Sequence, residues 1–336
     1  VNDRKILGLI RFYIYERKMS NNESFSTRKV MNSTNLRQKL ILVHSINNLL
    51  FNKCRFKGSK KLGRLISKIF LPPITKPILC PTIFNFDLYL SKNNGKEIYN
   101  IGFYEIGTLE IIKQCLRQGD IFVDVGSSIG LMTFTASYSV GDDGKVLAFE
   151  PDPERFCHLQ NSILENKRMN IKAFNVGLGD QRKKEKLYRD RMSPSMIKTE
   201  DSVDFERVKV EVLDQILAKE NIPLVNFLKI DVEGYEMSVL KGTRKCLSSP
   251  KAPIICIEYS FDFIDKNNCS EDIFDFIKVL NKYSYYQLIK TSHTISKLKP
   301  IRSKSDLNKH DNLYCFLEHH LEYVPMDLFL GHHPRC

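Results

Sequence analysis

The chain of 336 residues has no apolar run near the roughly 18 to 20 uninterrupted residues that a membrane helix needs. Its longest candidates, ILGLIRFYIY and LILVHSINNLLF, are short and are broken by Arg11, His44 and Asn47. No small-residue cleavage site follows the first apolar stretch, so a signal peptide is not expected. The nine cysteines are scattered, odd in number and form no CxxC pair. That distribution argues against a disulfide framework and for a reducing, cytoplasmic setting. No GxxxxGK[ST] loop is present, which excludes a P-loop ATPase. Internal repeats and low-complexity tracts are absent as well.

What remains is a globular composition, 42% hydrophobic and 27% charged. The length allows one large domain with additions or two ordinary ones. The net charge of +12 is unevenly placed. Residues 1–70 hold sixteen Lys and Arg against Asp3, Glu16 and Glu23, a balance of +13, so the rest of the chain stands at −1.

Within that basic front end, KKLGRLISKIF places Leu62, Leu65, Ile66 and Ile69 at helical spacing, with Lys60, Lys61, Arg64 and Lys68 elsewhere on the wheel. Pro72-Pro73 ends the element. Such a helix either lies on an anionic membrane surface or packs on its own protein with its charges in water, and base rates favour the second.

From about residue 105, strands and helices alternate. TLEIIKQCLRQGD predicts a helix with Gly119 as its C-terminal cap. IFVDV, KVLAFE, IKAFNV, VNFLKIDVEG and PIICIEYS read as strands, and YYQLI and NLYCFL close the sheet. Asp152 and Pro153 are the cap and first position of the helix after KVLAFE. Charged residues 180–210 interrupt the rhythm and predict a hairpin before a helix restarts at Asp214. The alternation predicts a doubly wound, mostly parallel α/β sheet covered on both faces.

In such sheets ligands bind beyond the carboxyl ends of the strands. Those ends carry Asp124, Glu150, Val176-Gly177, Asp231 with Glu233, and Glu258. One strand-end carboxylate caps a helix as readily as it binds a ligand, but several crowded together need a cation or many donors. The turn Gly126-Ser127-Ser128-Ile129-Gly130 gives the backbone freedom to approach a ligand, and the next helix offers its amides to negative charge. Glu150 lies 24 residues beyond Gly126, near the offset at which an acidic residue holds ribose hydroxyls. An adenosine-type ligand is therefore expected. Ser128 stands where the dinucleotide fingerprint has its middle glycine, which argues against a pyrophosphate grip and an NAD-dependent oxidoreductase.

VDVGSSIG, VLAFEPDP, FNVGLGD, LDQIL and FLKIDVEGYEMSVLKG, in this order over about residues 98–318, resemble the FkbM-type S-adenosylmethionine-dependent methyltransferases. The resemblance implies the seven-stranded methyltransferase sheet with one antiparallel strand near its end, and the basic helical front end reads as an extension before it. The expected organisation is that extension over 1–73, the methyltransferase domain over 74–318 and a tail over 319–336. By the same resemblance Asp124, Gly126, Ser128 and Gly130 shape the pocket for the methionine part of S-adenosyl-L-methionine. Glu150 holds the ribose, and Val176-Gly177 lie beside the adenine. Family members often have Asn where this chain has Ser128.

Methyl transfer to a hydroxyl asks for alignment and a general base. The candidates, in order, are Glu233, Asp231 and Glu258, and Glu105 in FYEIG is a further candidate for the cofactor site. Asp231, Glu233 and Glu258 also suit a divalent cation, although no further ligand is fixed by spacing, so no metal is expected. Cys315, His319, His320, His332, His333 and Cys336 form a weaker zinc-type cluster. His293 reads as surface or substrate-side. The implied reaction is O-methylation of a saccharide or secondary-metabolite hydroxyl, with small molecules or glycans as partners. A rival, non-enzymatic reading has residues 1–70 grip a polyanion or place the protein peripherally at an anionic membrane. The front end lacks the interleaved aromatics of a single-strand groove, so nucleic acid is not expected.

Overall fold

The computed structural model describes residues 25–50, 59–189, 193–198, 202, 204–260, 272–289, 297–307 and 310–330. Two compact units divide the chain, residues 1–104 and 105–336. Residues 74–104, which the sequence reading joined to the sheet domain, lie in the first unit.

In that unit, α1 (Phe25–Asn48) and α2 (Ser59–Phe70) precede a hairpin of β1 (Ile78–Pro81) and β2 (Asp87–Leu90), then α3 (Lys96–Ile101). Buried His44 on α1 bonds through Nε2 to the Tyr99 carbonyl at 2.8 Å, tying α1 to α3.

The second unit runs α4 (Ile106–Cys115), β3 (Ile121–Val125), α5 (Leu131–Val140), β4 (Lys145–Phe149), α6 (Pro153–Glu165), β5 (Ile171–Phe174), β6 (Gly177–Leu178), β7 (Lys183–Arg189) and β8 (Asp204–Glu211). It continues with α7 (Leu213–Lys219), β9 (Phe227–Ile230), α8 (Glu236–Lys241), α9 (Arg244–Leu247), β10 (Ile254–Ser260), α10 (Ile273–Leu280), β11 (Ser284–Ile289), β12 (Lys297–Ile301) and β13 (His310–Phe316). The main sheet has the order β12-β11-β13-β10-β9-β3-β4-β5. From β5 to β10 every pairing is parallel. The seven expected strands are present, with β13 antiparallel to β10 and β11, and β12 adds an eighth on the edge. Pro300 in β12 lacks an amide hydrogen, which an edge strand tolerates and a central one does not.

The excursion is a hairpin, β7 against β8, with β6 parallel to β8. Helix α4 ends earlier than expected: Leu116 is its extended C-terminal cap, and Gly119 (φ +84°) instead serves the turn into β3. Asp152 caps α6 as expected, accepting from the Arg155 amide at 2.9 Å. On one face of the sheet Val123, Leu147, Leu228 and Ile255 join Leu213, Leu240 and Ile277 in a continuous core. Residues after β13 return to the sheet, where Phe329 meets Tyr286 and Phe316 edge-on. Among the described residues no helix is long and apolar enough to cross a membrane.

Candidate active site

The other face of the sheet carries a polar row where a core would be expected. Asp124, Lys229, Cys256 and Tyr314 are register neighbours on β3, β9, β10 and β13. Asp124 is 0% exposed and Lys229 2%. Helix α5 meets the row through Thr133, whose hydroxyl donates to Asp124 Oδ2 at 2.6 Å. Helix α4 meets it through Thr108, 2.9 Å from the Tyr314 hydroxyl. Lys229 Nζ donates to Asp231 Oδ2 at 2.8 Å. Buried charges persist only when paired, and this lysine is the cation around which Asp124, Asp231 and Glu105 are arranged. Lys229 is a site residue that the strand-end pattern does not single out, because it lies inside the strand. A lysine inside a strand that is buried on both faces was the available signal.

Three turns close the site. The first, after β3, is pinned to the end of β4 by Gly126 and Ser127 amides donating to the Phe149 carbonyl, both at 3.0 Å. The Ser128 amide donates to Glu150 Oε2 at 2.7 Å and the Asp152 amide to Oε1 at 2.8 Å. Burial pushes Glu150 up to about 7 against these donors and the Arg155 charge. The second turn follows β9: Glu236 Oε1 accepts from the Val232 and Gly234 amides at 3.2 and 3.0 Å, and burial raises this carboxyl to about 7 as well. The third is Glu105, whose carboxylate accepts from Asn312 Nδ2 at 3.2 Å. Ser128, Glu233 and Glu105 all adopt left-handed backbone, at φ +51°, +54° and +44°. Each costs on the order of 1 kcal/mol, and such strain concentrates at functional sites.

The glycines of the first turn make room for the protein itself. A Cβ on Gly126 (φ +81°) would stand 1.8 Å from the Asp231 carbonyl oxygen. One on Gly130 (φ +99°) would stand 2.6 Å from Leu159 Cδ1. The backbone of the turn after β9 fills that space at Gly126, and Leu159 of α6 fills it at Gly130. Gly126→Ala is expected to destabilise the second unit by about 3 kcal/mol or more, from overpacking added to backbone strain. A urea midpoint equal to wild type would contradict this.

Asp231, Glu233 and Glu258 converge, with ligand atoms within 4.8 Å of one another. Asp231 and Glu258 are hydrogen-bonded carboxyl to carboxyl. The Asp231 charge, then burial, raises Glu258 to about 10, so it carries the shared proton at neutral pH. Asp231 is held below its ordinary value: burial opposes this, but Lys229 and the Glu258 hydrogen bond outweigh it. Burial first, and the Asp231 charge second, raise Glu233. Arg155 on α6 lowers the proton affinity of Glu150, Asp231 and Glu233 alike, and its Nη1 donates to Ser193 at 3.2 Å.

Val176 is half-buried against the core, and Met196 Cε lies where a Cβ on Gly177 would point, at 2.0 Å. The excursion thus lays a thioether over the strand edge assigned to adenine, a contact with no signal in the sequence. Cys315 is fully buried in β13, and His320 is buried with Nδ1 accepting from the Leu317 amide at 3.0 Å. Neither is an accessible zinc ligand in this fold. His293, His332, His333 and Cys336 lie outside the described residues.

Two carboxyls near 7 give a pH dependence of defined sign. Glu150 and Glu236 bind protons more tightly folded than unfolded, so their contribution is fully present below about 4.5 and is lost as pH rises through about 7. Asp231 acts oppositely and loses its contribution as pH falls below its ordinary 3.8. Thermal midpoints are therefore expected to be higher near pH 5.5 than near pH 8, and a rise over that interval would contradict the assignment.

Residues 124–286 match the family model described as Methyltransferase FkbM domain. The chain carries a Methyltransferase FkbM domain over those residues. The methyl donor of that family is S-adenosylmethionine. The chain is 27% identical over 212 residues to the hexuronic acid methyltransferase AglP of Haloferax volcanii, covering 60% of this chain and 84% of that protein. It is 31% identical over 142 residues to Methyltransferase 1 of Beauveria bassiana, covering 36% of this chain and 57% of the relative. A crystal structure of Methyltransferase FkbM from Methylobacillus flagellatus aligns at a TM-score of 0.40 and 20% identity, over 60% of this chain and 44% of that one.

Proposed function

We propose that this protein transfers the methyl group of S-adenosylmethionine to a hydroxyl of a saccharide or related metabolite. The observation that carries the proposal is the gathering of three strained turns around Asp124, Glu150 and the Asp231–Glu233–Glu258 group. The donor set fits the cofactor. Asp124 Oδ1 is buried and has no hydrogen-bond partner among the described residues, an environment that suits an ammonium group. Asp124 is enclosed, so reaching that oxygen requires a local opening of its surroundings. Glu150 uses one lone pair of each oxygen on an amide and keeps the others for ribose hydroxyls. Val176 and Gly177 flank the adenine once Met196, a flexible side chain, moves aside.

The cofactor supplies an electrophilic methyl group on a sulfonium; the protein supplies alignment and a proton acceptor. Glu233 is best suited to accept the acceptor hydroxyl's proton, since its raised pKa brings it nearer neutrality. Asp231 is too weak a base, held by Lys229 Nζ and the Glu258 hydrogen bond. Glu258, protonated to about 10, acts as a donor that fixes Asp231 and not as a base. Arg155 supplies positive charge beside Glu150, Asp231 and Glu233.

The name of the Haloferax volcanii relative, a hexuronic acid methyltransferase, supports a saccharide acceptor. Transfer of a labelled methyl group to a panel of neutral and acidic saccharides tests the reading. Within it, Glu233→Gln is expected to lower turnover about a hundredfold while cofactor affinity changes less than about threefold. Unaltered turnover in that variant would remove Glu233 from the mechanism.

A further inference from the structure

Helix α2 does not bury its apolar face. It is held to its own unit by the small edge formed by Gly63 and Ser67, both buried. Ser67 Oγ accepts from Asn47 Nδ2 on α1 at 2.9 Å and approaches the Gly63 and Asn100 carbonyls at 3.0 and 2.7 Å. The apolar stripe at i, i+3 and i+7 consequently points outward: Leu62 is 40% exposed, Leu65 52% and Ile69 67%. Ile66, beside the small edge, is half-buried. At 100° per residue Lys61 and Lys68, both exposed, border the stripe along one side. Arg64 follows them and lies 3.7 Å from Glu97. No acidic residue occurs in the sequence between Glu23 and Asp87.

We infer that this face of α2 docks on the surface of an anionic lipid bilayer. The stripe enters the boundary between headgroups and acyl chains, and Lys61 and Lys68 lie at the level of the lipid phosphates. Charge decides among occupants. A second copy of the chain would set the same cations against each other across a two-fold interface. Nucleic acid would satisfy the cations and leave Leu62, Leu65 and Ile69 in water. An anionic bilayer takes both halves of the pattern, each cation near its surface raising the partition coefficient about fivefold. This inference stands apart from the identity of the methyl acceptor.

The test is flotation of the full chain with vesicles of phosphatidylcholine alone and of phosphatidylcholine mixed with phosphatidylglycerol. Wild type is expected to float with the mixed vesicles and to bind the neutral ones at least about tenfold more weakly. Leu65→Ser with Ile69→Ser, and separately Lys61→Glu with Lys68→Glu, are each expected to lower partitioning about tenfold or more. Circular dichroism and the thermal midpoint are expected to stay unchanged, because all four side chains are exposed. Failure of wild type to float overturns the inference, as does wild-type flotation of the Ser double variant. Two further outcomes do the same: a concentration-dependent dimer that the Ser double variant abolishes without any vesicle binding, or displacement from vesicles by duplex DNA.

Discussion

Asp124→Asn is expected to weaken binding of S-adenosylhomocysteine, the demethylated cofactor, by roughly 30- to 1,000-fold in calorimetric titration. The substitution keeps the shape of the side chain and its contact with Thr133, which donates to Oδ2. It removes the charge at Oδ1, the buried oxygen without a partner among the described residues. A buried carboxylate facing an ammonium group is a fully desolvated pair, so loss of the anion leaves the ligand's charge uncompensated. Glu150→Gln provides the second arm, with a smaller loss, since it replaces one acceptor of the ribose hydroxyls by a donor. Equal affinities for wild type and Asp124→Asn would show that the ammonium group binds elsewhere.

The largest effect on stability is expected at Lys229. Lys229→Met retains much of the side-chain volume and removes the cation that faces Asp231 and Asp124. Breaking a buried pair by deleting one partner costs about 3–5 kcal/mol, because the remaining charge is stranded. In a domain of this size that corresponds to a fall of roughly 10 °C in thermal midpoint. Lys172→Met is the control: its pairing with Glu220 is exposed, and its loss should cost less than about 1 kcal/mol. A loss at Lys229 no larger than at Lys172 would mean that the polar row is not organised by this lysine. The same substitution frees Asp231 to take up protons at higher pH, so the acid limb of the stability profile should move upward.

Much of the architecture was legible because a parallel sheet leaves strong marks. Strands buried on both faces read as short apolar runs, and the acidic residue at each end stands out against them. The hairpin over 180–210 was visible from its change of composition. Strand β12 was not, since KLKPI mixes lysines with a proline and only an edge position makes that acceptable. The glycines at 126 and 130 announced an unusual turn, yet a missing side chain does not say what fills its space. Here Asp231 and Leu159 fill it. Amphipathic spacing in α2 likewise revealed a stripe without revealing its partner, and the helix turned out to be held by Gly63 and Ser67.

The candidate bases illustrate the same division. Sequence places Asp231, Glu233 and Glu258 at adjacent strand ends, which is enough to name them together. Their different proton affinities depend on Lys229, on the carboxyl–carboxyl hydrogen bond and on depth, none of which has a linear code. Only the folded arrangement separates a clamped anion, a proton-bearing donor and a group nearer neutrality.

A crystal structure of the chain soaked with S-adenosylhomocysteine tests the central claim most directly. The account predicts ribose hydroxyls on the Glu150 carboxylate, the ammonium group at Asp124 and the sulfur turned toward Glu233. An adenosyl group bound away from Glu150, with the turn at Gly126 to Gly130 untouched, would contradict it.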